Sequence, residues 1–103
     1  MQRSDILDKA KELVNGDRAK DYGDAYINHK RIADLWSVIL EKEISVSQVY
    51  QCMIALKLSR LIHANHPDNW VDICGYASLG GENEDRRDQN ANDYSTRYSY
   101  RRA

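Results

Sequence analysis

Residues 45–65, SVSQVYQCMIALKLSRLIHAN, constrain the fold more than any other stretch. At about 100° per residue the run is helical, and its apolar residues do not keep to one stripe. Val49, Met53 and Leu56 share one face, while Ile54, Leu58 and Leu61 lie toward the other. A helix that is apolar on both sides is central to its domain or sits at a subunit interface. A small helical domain has little room for a wholly enclosed helix, so self-association is expected.

Three further stretches accompany it. In SDILDKAKELVNG, Ser4 is expected to cap a helix whose Ile6, Leu7, Ala10, Leu13 and Val14 recur at helical spacing, with Gly16 closing it in the left-handed position. A second helix, residues 24–41, puts Ile32, Leu35, Trp36 and Ile39 on one stripe. The third begins at Ser45, which forms a capping box with Gln48, and runs to about Ala64, where Pro67 enforces a stop. The fourth is expected to begin near Asn69, with Asp72 three residues on, and to end at Leu79 before Gly80 and Gly81. There is no strand signal and no internal repeat. The expectation is an all-α, four-helix bundle-like single domain over residues 1–81.

Residues 82–103, ENEDRRDQNANDYSTRYSYRRA, contain no Val, Leu, Ile or Met. Such a segment cannot offset its ordering entropy by apolar burial, so a polar, disordered tail is expected. At its end Arg97, Arg101 and Arg102 alternate with Tyr94, Tyr98 and Tyr100. That alternation can stack on bases, dock on a partner, or simply keep the tail soluble.

Charge and composition narrow the function classes. A formal net charge of −1 over 103 residues gives no field for duplex nucleic acid. No apolar run approaches the ~20 residues of a membrane span, and the charged, amphipathic opening is not a secretory signal. Cys52 and Cys74 lack CxxC spacing and sit among apolar residues, which reads as two buried thiols in a cytoplasmic protein.

Two places hold candidate binding chemistry. On the third helix Lys57 and Arg60 are three apart and within one turn of the Val49, Met53 and Leu56 face. A half-buried cation needs a partner: either Asp72 of the next helix pairs with one of them, or they meet a ligand anion such as a phosphate. The second place is GDRAKDYGD, residues 16–24. Arg18 and Lys20 can reach phosphates, and Tyr22 offers a flat face for a base. Asp17 or Asp21 can accept from a ribose or exocyclic amine, Gly23 permits a close turn, and Asp24 can cap the next helix. The same loop also reads as a plain connection with solvated charges. Asn28 can read a base edge or brace the loop. On the fourth helix Asp72 and Tyr76 lie four apart, and Gly75 implies a close helix approach or room for a ligand.

Catalytic signals are sparse. His29, His63 and His66 have no metal-site spacing, and no nucleophile elbow, P-loop or dinucleotide fingerprint occurs. Asp72, Asp68 and Asp34 are few carboxylates for metal-assisted phosphate chemistry. Binding without catalysis, metal or cofactor suits this inventory better than hydrolysis.

With these motifs in view, GDRAKDYGD, NHKRIADLW, KLSRL and WVDICGYASLG together resemble a family of small, largely uncharacterised phage and prophage proteins. The resemblance covers residues 4–80. More distantly, the DYG loop, the K-x-x-RI pair and the D-I-x-x-Y helix are similar to the phage nucleotide-modification-associated domain. That domain in turn resembles the all-α nucleotide pyrophosphohydrolases of the MazG type. The resemblance implies a helical, oligomeric, nucleotide-handling protein. It would imply magnesium only if the ExxE and ExxD motifs of those enzymes were present. Here the second reads Asn69-Trp70-Val71-Asp72, and the third helix has no ExxE.

The reading is therefore a phage-type, non-catalytic, homo-oligomeric binder of a nucleotide or nucleotide-derived signal, cyclic or ADP-ribose-like, that removes a host defence messenger from solution. Its ligand residues would be Arg18, Lys20, Asp21, Tyr22, Gly23, Asn28, Lys57, Arg60, Asp72 and Tyr76. The alternatives are a metal-dependent nucleotide pyrophosphohydrolase or nucleotide-modification enzyme, and a module that grips a host protein.

Overall fold

The computed structural model describes residues 1–16 and 25–90, with backbone only beyond residue 84. Residues 17–24 and the Tyr/Arg repeat of the tail lie outside the described residues, as does the expected cap at Asp24. The described chain is all-α: α1 (Arg3–Asn15), α2 (Ala25–Leu40), α3 (Val46–His63) and α4 (Pro67–Asn90).

Helix ends follow local chemistry, in places differently from expectation. Helix α1 starts one residue before Ser4, which therefore lies inside the first turn. The backbone N–H of Gln2 donates instead to the Asp5 carboxylate at 3.1 Å. Gly16 is not left-handed: its φ is −87°, and its N–H donates to the Glu12 carbonyl at 2.6 Å. The left-handed residue among those described is Glu41, with φ 52°, at the end of α2. There Lys42 N–H donates to Ser37 O at 3.1 Å and Glu41 N–H to Val38 O at 3.4 Å, the paired bonds of a Schellman close. The Ser45–Gln48 capping box forms as expected, at 3.1 and 2.9 Å. Ser37 Oγ also receives the Ile44 N–H at 2.9 Å, pinning the link between α2 and α3.

Pro67 opens α4 rather than merely closing α3. A proline lacks an N–H that the first helical position would leave unpaired anyway. Asp68 N–H donates to His66 Nδ1 at 3.3 Å and Asn69 N–H to the His66 carbonyl at 3.1 Å, so His66 and not Asn69 holds the cap position. Helix α4 then passes through Gly80 and Gly81 to Asn90, so the expected end at Leu79 is corrected. The boundary drawn at residue 81 falls inside a helix.

The core is small. Ala33, Val46, Val49 and Tyr50 form its centre, with Tyr26, Ile32, Trp36, Ile44, Met53, Tyr76 and Leu79 packed around it. Helix α1 lies on α4 at Gly75, where an added Cβ would be 3.5 Å from Val14 Cγ1 and 3.7 Å from Leu13 Cδ2. The expected close approach at Gly75 is thus a contact between helices. The stripe expected on α2 splits, with Ile32 and Trp36 turned inward and Leu35 and Ile39 exposed. Cys52 and Cys74 are free thiols, and Cys52 is exposed rather than buried. Among the described residues no helix is long and apolar enough to cross a membrane.

Candidate functional site

A polar seam runs through the apolar core where α2, α3 and α4 meet. Helix α4 places Asp72, Tyr76, Gly80 and Asn83 within about one quarter of its circumference. Helix α3 brings Tyr50 and Lys57 to its inner face. Gly80 lets the α4 backbone lie against Tyr50: a Cβ there would meet the Tyr50 side chain at 3.6 Å. From α2, the His29 ring stands 4.7 Å from Tyr50 and 5.9 Å, edge-on, from Tyr76, measured between centroids.

His29 Nδ1 lies 2.7 Å from the Ala25 carbonyl. A carbonyl only accepts, so Nδ1 carries the proton in this contact. Lys57 Nζ contacts the Asp72 carboxylate at 3.0 Å, with side chains 13% and 28% exposed. Of the two readings of Lys57, pairing with Asp72 is the one observed. The pair satisfies both charges inside the domain, so Lys57 is not a lone cation awaiting an anion. Arg60, one turn further, is exposed and has no ion pair among the described residues.

The seam also holds one unsatisfied group. Asn83 is 4% exposed, and its Nδ2 has no hydrogen-bond partner. An orphaned buried donor costs about 1–3 kcal/mol, and native structures hold few of them.

Of the expected site residues, Lys57, Asp72 and Tyr76 therefore share one region. Asn28 is exposed on α2, while Arg18, Lys20, Asp21, Tyr22 and Gly23 lie outside the described residues. Three seam residues were not foreseen. His29 enters the sequence reading only as a candidate metal ligand, although it lies among the inward positions of α2. Tyr50 is a hydroxyl-bearing residue inside an oily run, a signal the sequence offered. Asn83 stands in a segment whose composition reads as tail, so nothing local marks it. Among the described residues, no three His, Cys, Asp or Glu side chains gather to hold a metal ion.

These features define a small all-α domain built around a polar interhelical seam. The chain belongs to the DUF6378 family of domains of unknown function, whose pattern matches residues 5–84. It is similar to the Gene 55 protein of Mycobacterium phage L5, at 46% identity over 76 residues, covering 72% of this chain and 49% of that protein. The Gene 55 protein of Mycobacterium phage D29 is 44% identical over 73 residues, covering 70% of this chain and 48% of that protein. The chain thus spans about half the length of these relatives. No solved structure matches it. The phage part of the motif resemblance is supported by these relatives.

Proposed function

We propose that this domain is a non-catalytic binder of a nucleotide-like anion, and that in a phage setting it sequesters a nucleotide-derived signal of the host. The observation that carries the reading is the buried, unpartnered Asn83 Nδ2, one helical turn beyond the contact of Gly80 with Tyr50, whose ring packs near His29. A donor that the chain itself leaves unpaired is one that a ligand carbonyl, ring nitrogen or phosphate oxygen can satisfy. Tyr76 and His29 supply ring faces, and Arg60 supplies an exposed cation for a phosphate. The Lys57–Asp72 pair fixes the seam's shape instead of meeting the ligand directly. Arg18, Lys20, Asp21, Tyr22 and Gly23 of the GDRAKDYGD motif stay ligand candidates on their chemistry alone.

Titration calorimetry with cyclic dinucleotides, cyclic ADP-ribose, NAD and a dNTP panel tests this. The expected result is saturable binding of one class, with unaltered ligand recovered after the protein is denatured. Absence of heat across the panel with folded protein overturns the proposal; recovery of hydrolysed product replaces it with the pyrophosphohydrolase reading. Asn83→Leu is the sharper probe. Replacing an orphaned donor with an apolar group of similar size should raise apo stability by ~1–2 kcal/mol while weakening ligand binding at least tenfold. If the leucine variant binds as tightly as the parent, Asn83 has no place in the site.

A further inference from the structure

The distribution of apolar surface supports an inference independent of the ligand. Only Ala10, Ala33, Val46, Val49, Tyr50 and Val71 are buried apolar side chains among the described residues, and only Val49 and Tyr50 are both large and fully enclosed. Eleven large apolar side chains are exposed. Eight of the eleven belong to two consecutive helices: Ile27, Leu35, Val38, Ile39 and Leu40 on α2, and Leu56, Leu58 and Ile62 on α3.

Helix α3 is the more telling of the two. An ordinary surface helix turns its charges to water and its apolar stripe inward. Here the two cations, Lys57 and Arg60, lie toward the Tyr50 side, and Lys57 is tied inward to Asp72. The opposite half, with Cys52, Ala55, Ser59 and Ile62 flanked by Leu58, is exposed; it also carries Gln51 and His63 but no Asp, Glu, Lys or Arg. On α2, charges border the bare apolar residues: the Lys30–Asp34 contact at 2.6 Å neutralises two of them, and the exposed Arg31 lies between Ile27 and Leu35.

We infer that the bare faces of α2 and α3 are covered by a second copy of this chain. Two arguments select that occupant. The first is area. Ile27, Leu35, Val38 and Ile39 on α2 with Leu58 and Ile62 on α3, each presenting on the order of 100 Å², make roughly 600 Å², and the small exposed residues Cys52, Ala55 and Ser59 bring the patch toward what each partner of a stable protein complex contributes. Neither helix reaches that figure alone, and the short link at residues 41–45 keeps the two helices together. The second is self-complementarity, which a two-fold interface requires. Cys52, Ala55, Ser59 and Ile62 are spaced three, four and three apart. That series reads the same in both directions, so antiparallel α3 helices crossing near residue 57 set Ile62 over the partner's Cys52. The same crossing sets Ala55 over the partner's Ser59. Small residues meet near the axis, and a large one fills the space above each thiol.

Sedimentation equilibrium of the full chain, with thiol labelling read by mass spectrometry, tests the inference. The wild type is expected to sediment as a dimer or a higher even multiple at 10–100 µM. Ile62→Glu and Val38→Glu, both at sites more than 70% exposed in the single chain, should keep their helical circular dichroism and weaken association at least 100-fold. A readout on the unaltered protein stands beside these variants should either fail to fold. Labelling of Cys52 should slow at least tenfold as protein concentration rises through the association range. A wild type that remains monomeric at 200 µM overturns the inference. So does a folded Ile62→Glu protein that keeps the parent mass, or a Cys52 whose reactivity is fast at every concentration.

Discussion

Glu41 holds the left-handed end of α2 with a side chain where glycine would carry no steric penalty. Glu41→Gly should therefore stabilise the fold by on the order of 1 kcal/mol, seen as a higher urea midpoint with an unchanged slope. Gly16 shows the opposite case. A Cβ there would collide with the Glu12 carbonyl oxygen, a backbone atom that cannot swing aside. Gly16→Ala should cost about 1 kcal/mol or more by the same measurement. The Lys57–Asp72 pair belongs to this scale too. With both side chains under a third exposed, removing either partner alone should destabilise by ~1–3 kcal/mol, because the remaining charge loses its counterion. Removing both should cost less than the sum of the single losses. Strict additivity in a double-mutant cycle would show that the contact carries no coupling.

Among the elements, α4 departs most from what its local sequence implies. Two glycines in succession ordinarily end a helix, yet α4 runs nine residues beyond Gly81, to Asn90. Packing outweighs local preference here: Gly80 lies against Tyr50, and Asn83 is buried on the same side. Ending the chain after Gly81 should therefore lower the thermal midpoint by several degrees, in line with the ~4–8 °C per kcal/mol of a small domain. Gly75 carries a converse expectation. An alanine Cβ would meet Val14 and Leu13 at ordinary contact distance, so Gly75→Ala should gain up to ~1 kcal/mol from helix propensity. What was legible beforehand follows the same division. The Ser45–Gln48 cap was readable because all its atoms lie within four residues. Pro67 was ambiguous because one residue type both ends a helix and opens the next. The inward side of α2 was half readable, since Ile32 and Leu35 are equally oily and only the neighbouring helices decide between them.

For the whole molecule, the class and the order of the helices were legible in the pattern, and the site was legible only in part. Lys57 and Asp72 could be matched as one of two options because a cation in an oily helix needs a counter-charge. Asn83 could not be found, since its burial depends on a helix extension that composition argues against. The bare face of α3 was foreshadowed by the two-sided apolar character of residues 45–65, though the sequence did not show which side would remain uncovered. If the bare faces of α2 and α3 close on a twin, pairing adds by mass action to the stability of a fold that the single chain already holds. Dilution would then loosen the fold, melting temperature would climb with protein concentration, and the seam's capacity to hold a ligand would rise with the amount of protein present.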